Sequence, residues 1–159
     1  MSKQLELKII TPEKLILEEM VNGVTLPTTE GEITILPGHR PLIANLSSGD
    51  IVAISNDENI PIAVVGGFIE VKKTEDDRTI VAILCDFALH VSSITDDSIE
   101  RAKTRAEELK KLMLARPKPL GEGGENKEAV DFEHFESELE RSITQIRIAG
   151  KWKSKKYRK

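Results

Sequence analysis

The residue types that could perform acid–base chemistry meet in one stretch, TEGEITILPGHRPLI, which runs from Thr29 to Ile43. Glu32 and His39 share it with two glycines and two prolines. A carboxylate and an imidazole suit general acid–base catalysis, but a third group must orient the histidine, and the sequence marks none. The alternative is a shaped turn whose polar side chains are solvated or contact a partner, since rigidly held loops often carry binding residues.

Other signatures of catalysis or metal binding are missing from the sequence. The three histidines, His39, His90 and His134, are scattered, and no cysteine or second histidine stands at metal-ligand spacing. There is no phosphate-binding loop and no nucleophile elbow. Cys85 lies in the apolar run TIVAILCDF, where a thiol usually acts as a small buried hydrophobe. The sequence therefore predicts no catalytic residue, no metal and no obligatory cofactor.

Charge is distributed unevenly along the chain. Residues 1–90 carry 7 basic and 14 acidic side chains, whereas residues 91–159 carry 16 and 13, and the whole chain has a net charge of −4. An acidic protein is poorly suited to nucleic acid, because phosphate binding requires a basic face. No apolar run approaches the ~20 residues that cross a bilayer, so direct membrane insertion is not expected. The asymmetry suggests two halves with different partners.

Apolar residues recur with a period near two from Leu5 to about His90, in short β-branched runs bounded by turn signals such as Asn22-Gly23 and Pro37-Gly38. Many short strands without intervening helices indicate a β-sandwich or barrel. With aromatics at only 4% of the chain, the core must consist mainly of Ile, Leu and Val.

Beyond His90 the period becomes helical. One stripe, with Asp97 as the expected N-cap, comprises Ile99, Ala102, Ala106, Leu109 and Met113. A second, with Asp131 as the expected cap, comprises Phe132, Phe135, Leu139, Ile143 and Ile146. The predicted class is mainly β plus α: a β-sandwich in residues 1–90, then a two-helix, hairpin-like domain in residues 91–159. That domain includes a Pro/Gly linker at about 116–127 and a basic tail at 147–159.

The order of motifs resembles that of the epsilon subunit of F-type ATP synthases. The match runs from about Leu5 to Ala149, and its most specific pieces are EGEITILPGH followed by PLI, and GGFIEV. TIVAILCDFALH and the helix with ERAKTRAEELKK follow in the same order. The resemblance implies a non-catalytic rotor subunit whose sandwich binds the gamma subunit and stands on the c-subunit ring, coupling proton translocation to ATP synthesis. It also implies that the C-terminal helices either fold on the sandwich or extend along gamma, where they inhibit ATP hydrolysis by the catalytic beta subunits. The implied location is peripheral, at the cytoplasmic face of the bacterial inner membrane, with the plastid thylakoid as the alternative.

Several residue roles follow from this resemblance. Glu32 and His39 correspond to a loop that faces the c-ring. The basic tail would meet an acidic segment of the catalytic subunits, or would be a disordered solubilising tail. The residues that would make the inhibitory contact are Arg147, Lys151, Lys153, Lys155 and Lys156, followed by Arg158 and Lys159.

Some members of the family bind ATP between the helices through an Ile/Leu-Asp-x-x-Arg-Ala motif. The corresponding run here is DSIERA, in which Arg101 matches but Ser98 replaces the aspartate. In the second helix Arg141 matches a basic position, whereas Gln145 stands where another arginine would help. Losing a charged hydrogen-bond partner costs about 1.5–3 kcal/mol, so weak or absent ATP binding is expected.

A free-standing β-sandwich that binds a ligand is the alternative function, and a small hydrolase using Glu32 and His39 is a third. A ligand binder needs a lined pocket, and the chain offers few aromatic residues to build one. Both alternatives leave the helical pair without a role.

Overall fold

The computed structural model describes residues 3–115 and 127–159. Ten strands precede two helices, α1 (Asp96–Ala115) and α2 (Lys127–Trp152), and a single 3-10 turn at Val91–Ser93 joins the two parts. The strands are β1 (Leu5–Ile10), β2 (Leu15–Val21), β3 (Gly23–Thr28), β4 (Gly31–Ile35), β5 (Leu42–Asn45), β6 (Gly49–Ser55), β7 (Glu58–Val65), β8 (Phe68–Lys73), β9 (Thr79–Leu84) and β10 (Phe87–His90). The predicted class, a β-sandwich followed by two helices, is confirmed.

The sandwich consists of two five-stranded sheets. Sheet 1 has the strand order β2-β1-β9-β8-β5, and sheet 2 has the order β10-β7-β6-β3-β4. β1 and β9 pair in parallel, while hairpin neighbours such as β6 and β7 pair in antiparallel fashion. Alternate residues of most strands point between the sheets, as in β1, where Leu5, Leu7 and Ile9 are fully buried. The core is aliphatic, as the composition predicted.

Strand β7 departs from this alternation because both of its faces are covered. Every residue from Ile60 to Val65 is buried. Ile60, Ile62 and Val64 belong to the core between the sheets, whereas Ala63 belongs to a second apolar cluster under α2. The small side chain of Ala63 lets the helix approach the sheet closely. The outer face of β7 is thus a packing surface for α2.

The start of α1 differs from the sequence prediction. Thr95 and Ser98 cap the helix reciprocally: the Ser98 amide donates to Thr95 Oγ1 at 3.2 Å, and the Thr95 amide donates to Ser98 Oγ at 2.9 Å. Asp97 lies inside the first turn, so its assignment as the N-cap was wrong. The buried stripe was correct at Ala102, Ala106 and Leu109.

Helix α2 also begins earlier than predicted. It starts at Lys127, so Asp131 lies within the helix and is not its cap. The predicted linker at 116–127 lies outside the described residues apart from Lys127, and the side chain of Phe132 is likewise outside them.

The most buried face of α2 is not the predicted stripe. Ile143 is 41% exposed, and the residues that α2 buries are Ser142, Thr144, Ile148 and Trp152. The reason is that α2 contacts two neighbours: α1 on one side, and β7 and β6 on the other. A single apolar stripe describes a helix with one partner, whereas α2 lies between two.

Candidate functional site

Glu32 is the second residue of β4, the edge strand of sheet 2, and its side chain is exposed. The turn that precedes it is fixed by Thr28, whose hydroxyl donates to the Gly31 carbonyl at 2.5 Å and accepts from the Glu30 amide at 3.2 Å. Gly31 has a φ of +118°, a conformation that L side chains rarely adopt. Glu32 is therefore presented on a rigid hairpin end.

His39 follows the opposite end of β4 and is half-buried. Its amide donates to the Leu36 carbonyl at 3.0 Å, closing a turn, and the neighbouring Gly38 amide donates to Thr79 Oγ1 at 2.8 Å. His39 Nδ1 lies 2.7 Å from the Arg40 carbonyl oxygen. A carbonyl only accepts, so Nδ1 carries the proton and donates to it. The imidazole is thus engaged by its own loop.

Glu32 and His39 lie at opposite ends of the sandwich. The five residues of β4 separate the two turns by about 15 Å, since a strand rises about 3.3 Å per residue. The hydrogen bonds of the two turns agree with this separation. In the turn before Glu32, the Thr29 amide donates to the Asn45 carbonyl at the end of β5. In the turn before His39, the Gly38 amide donates to Thr79 Oγ1 at the start of β9. Such a separation excludes a direct acid–base pair. The two residues therefore do not share one turn, and the c-ring-facing role expected of them stays a prediction.

The outer face of sheet 1 carries apolar residues that the sequence reading did not single out. Ile43 is 75% exposed, Phe68 46% and Leu84 37%. Phe68 on β8 and Leu84 on β9 are register partners. Ile43, on β5, lies diagonally opposite Phe68. We call Ile43, Phe68 and Leu84 the apolar outer face. Contiguous exposed apolar residues of this kind mark interaction sites.

A shallow cavity of about 320 Å³ adjoins the apolar outer face and continues it toward the turn after β1. Its lining includes Ile10, Pro12, Phe68, Leu84 and Cys85. Charged pairs flank the face on the same sheet: Lys72 contacts Glu70 at 3.0 Å, and Lys8 contacts Glu18 at 2.9 Å. An apolar centre with a charged rim is the usual layout of a protein–protein interface.

Cys85 does not supply a nucleophile beside this cavity. The residue is buried, and its thiol lies 3.7 Å from the Ile10 carbonyl oxygen. Burial, together with the charge of Asp86, raises the pKa of the thiol to about 11. The thiol is therefore protonated at neutral pH and inert, which agrees with its prediction as a small buried hydrophobe.

The two arginines predicted for a nucleotide site have different surroundings. Arg101 is exposed on α1, one turn before Arg105, which donates to Glu138 of α2 at 2.7 and 3.0 Å. The guanidinium carbon of Arg141 lies 5.6 Å from the ring centroid of Phe87 in β10, so this side chain packs toward the sandwich. The structure packs α1 against α2, and the nucleotide-binding role of Arg101 and Arg141 stays a prediction.

The basic tail is divided between helix and loop. Arg147 and Lys151 belong to the last turns of α2, where Arg147 Nη2 donates to the Ser48 carbonyl at 3.1 Å. Lys153, Lys155 and Lys156 are exposed beyond the helix, and the Lys155 ammonium lies 5.3 Å from the ring centroid of Trp152.

The tail is anchored by residues that the sequence reading overlooked or did not pair. Lys151 Nζ donates to both carboxylate oxygens of Asp50 at 2.8 Å, and Trp152 Nε1 donates to Asp50 Oδ2 at 2.9 Å. Arg158 donates to both carboxylate oxygens of Glu19 at 2.7 and 2.6 Å. Partners separated by 101 to 139 positions leave no local signal in a sequence.

In the part of the chain that the structure describes, no group of three histidine, cysteine or acidic residues is arranged to hold a metal ion. No helix of residues 3–115 or 127–159 is long and apolar enough to span a bilayer.

Comparisons with known proteins place these features in context. Residues 4–91 match the family model for the β-sandwich domain of the ATP synthase delta/epsilon chain. The chain is 33% identical over 150 residues to the ATP synthase epsilon chain of Nitratidesulfovibrio vulgaris strain DP4, covering 94% of this chain and 98% of that protein. It is 31% identical over 151 residues to that of Endomicrobium trichonymphae, covering 95% and 96%.

Similarity to a solved structure supports the fold alone. A chain in an assembly of the Euglena gracilis mitochondrial ATP synthase that includes the c-ring superposes with a TM-score of 0.64 at 24% identity. The superposition covers 89% of this chain and 78% of the Euglena chain.

Proposed function

The chain belongs to the family of ATP synthase epsilon chains, and from that premise we propose that it is a non-catalytic subunit of the central stalk of an F-type ATP synthase. In that position it links the gamma subunit to the c-ring, so that rotation driven by proton translocation reaches the catalytic head. The apolar outer face carries this proposal, because it offers the sandwich a protein partner in addition to its own helices.

Gamma is the partner we assign to the apolar outer face. Phe68 and Leu84 stand side by side on adjacent strands, with Ile43 beside them. Buried aromatic and aliphatic side chains at the centre of an interface supply most of its binding free energy, and charged rims add orientation. Ion pairs at Glu70 and Glu18 would form that rim.

The c-ring contact belongs to the Glu32 end of the sandwich alone. Glu32 is exposed at a rigid hairpin end, whereas His39 is half-buried and lies at the other end. A single exposed carboxylate contributes only about 0–1 kcal/mol through an ion pair, so the hairpin must fit the polar loops of the ring over a wider patch.

The helical pair is a conformational brake on ATP hydrolysis. When folded, α2 covers β7; when extended along gamma, the same helix would bring Arg147, Lys151 and the tail lysines to an acidic segment of the catalytic beta subunits. Two alternative covers for one helix make a switch when their free energies differ by a few kcal/mol.

The proposed assembly also implies a location. A subunit held between gamma and the c-ring is peripheral to the membrane, and the bacterial relatives favour the cytoplasmic face of the inner membrane. The protein itself performs no chemical step, and its interaction with ATP is weak or absent.

Co-expression with gamma tests the proposal. The full chain should form a one-to-one complex, and Phe68→Glu should weaken it at least about tenfold, because a charge would be buried at the interface centre. Leu114→Glu is the matched control, since Leu114 is 88% exposed on α1, away from the sandwich. The assignment is wrong if Phe68→Glu binds gamma as tightly as the control does.

A further inference from the structure

We propose that Asp50 and Glu19 form an internal acidic receptor for the C-terminal segment 151–159, and that this receptor competes with acidic protein partners for the same basic side chains. The inference rests on the proposed brake for its physiological meaning. The contacts of Asp50 and Glu19 with the segment, however, lie within this chain and do not depend on the brake.

Asp50 forms the first half of the receptor. Its side chain is only 10% exposed, and its carboxylate accepts three hydrogen bonds, two from Lys151 and one from the indole of Trp152. Hydrogen bonds to a charged group in such a sheltered position are stronger than those at an open surface. Asp50 therefore recognises a Lys-Trp pair, and not merely a positive charge.

Glu19 forms the second half and lies on the other sheet. Asp50 belongs to β6 of sheet 2, whereas Glu19 belongs to β2 of sheet 1. Arg158 contacts Glu19 in the two-pronged geometry that favours arginine over lysine, and its amide donates to the Asn59 carbonyl at 2.8 Å. The segment consequently bridges both sheets.

An apolar plug lies between the two charged contacts. Trp152 is 4% exposed and packs with Ala63, Val91 and Ile148, and the Tyr157 ring meets the indole edge-on at 5.8 Å between centroids. The plug is small beside the core of the sandwich. Docking of the segment therefore depends on the two acidic side chains as well as on apolar burial. Small interfaces of this mixed polar and apolar kind are typical of contacts that form and break reversibly.

Competition between the receptor and an acidic partner is expected because some basic residues of the segment are already paired within the chain and others are not. Lys151 and Arg158 are occupied by Asp50 and Glu19, whereas Lys153 and Lys156 remain exposed. An approaching acidic segment would meet the exposed lysines first and would then have to displace the two internal carboxylates. The receptor thus sets the threshold at which the tail leaves the sandwich.

Trp152 reports directly on the receptor because it is the chain's single tryptophan. Quenching of its fluorescence by acrylamide in the isolated full chain measures how often the segment is released. In the double variant Asp50→Asn/Glu19→Gln, the quenching constant should rise at least about twofold, because two sets of charge-assisted hydrogen bonds are weakened. The control Glu108→Gln removes a carboxylate whose ion pair with Arg105 lies within α1, and should leave quenching unchanged.

A charge exchange separates the receptor from a general loss of folding. Glu19→Arg alone should increase quenching, and adding Arg158→Glu should restore it toward the value of the unmodified chain. If the exchange restores nothing, or if Trp152 stays protected in every variant, the receptor is wrong.

Polyglutamate is the probe for competition. At low salt it should increase the quenching of Trp152 in the unmodified chain, and should do so at roughly tenfold lower concentration in the Asp50→Asn/Glu19→Gln variant. Equal sensitivity of the two proteins contradicts the competition.

Inhibition of ATP hydrolysis in the assembled head then tests the brake separately. The double variant should inhibit more strongly than the unmodified chain. If Trp152 responds as expected while inhibition is unchanged, the receptor stands and the proposed brake is wrong. If Trp152 does not respond, the receptor is wrong whatever the head does.

Discussion

Gly67 lies against the backbone of Leu84 so closely that a Cβ at Gly67 would stand 2.0 Å from the Leu84 carbonyl oxygen. Gly67 also has a φ of +111°, in the region that favours glycine. This contact brings the turn after β7 against the end of β9, and so sets Phe68 beside Leu84 on the apolar outer face. The glycine therefore builds the surface that we assign to gamma.

Gly67→Ala should destabilise the protein by about 3 kcal/mol or more, because both the backbone conformation and the contact with Leu84 oppose a side chain. Denaturant unfolding measures the effect. Gly150→Ala is the matched control: nothing lies within 4 Å of a Cβ there, and alanine in a helix is favoured by about 1 kcal/mol. Equal stability of the two variants would refute the role of Gly67.

His90 should titrate below its ordinary pKa of 6.5, first because it is partly buried and second because Arg158 lies near. The Ser92 amide donates to His90 Nδ1 at 3.1 Å, which requires that nitrogen to be unprotonated. Since the unfolded chain takes up this proton first, the contribution of His90 to the free energy of unfolding declines as the pH falls below about 6.5. NMR titration measures the pKa.

Arg158→Gln should raise the pKa of His90 part of the way toward 6.5, leaving the effect of burial in place. The Arg101→Gln control, on the exposed surface of α1, should not move it. An unchanged His90 pKa in Arg158→Gln would show that the tail is not docked in solution.

Glu32→Lys should weaken the attachment of the catalytic head to membranes while leaving the fold intact, because Glu32 is exposed on a hairpin end. His39→Gln, at the other end of the sandwich, should leave attachment unchanged. Sedimentation of the head with c-ring-containing membranes measures both. Equal loss of attachment in the two variants would contradict the assignment of the ring contact to one end.

Calorimetry at millimolar ATP should detect weak or no binding. Ser98 replaces the acidic residue of the family motif and is engaged in the helix cap with Thr95, while Arg141 packs over Phe87. Ser98→Asp combined with Gln145→Arg should increase affinity by restoring the missing groups. Micromolar affinity in the unmodified chain would show that these departures do not matter.

The sandwich was predictable because burial alternates along most strands, and alternation is visible in a sequence. The apolar outer face was not, because alternation assigns Phe68 to the outward side without revealing that Leu84 and Ile43 stand beside it. Glu32 and His39 show that closeness in sequence does not establish closeness in space. Seven positions along a chain can be one turn or a whole strand, and here the intervening strand carries the two residues apart.

The helical part shows which signals are local and which are not. Thr95 and Asp97 are both residue types that cap helices, and only the hydrogen bonds decide between them. The docking of Trp152 on Asp50 joins residues 102 positions apart, so no window of sequence contains it. The buried face of α2 depends on its lying between α1 and the sandwich, a tertiary fact that its own periodicity does not carry.

Complementation of membranes that lack an epsilon subunit tests the central claim most directly. ATP-driven proton pumping by an otherwise complete ATP synthase of the same organism should be restored by this chain. It should be restored much less by Phe68→Glu, which cannot bury its charge against gamma. Pumping that stays absent when the chain is supplied in excess, with the other subunits present, would contradict its role as the link between gamma and the c-ring.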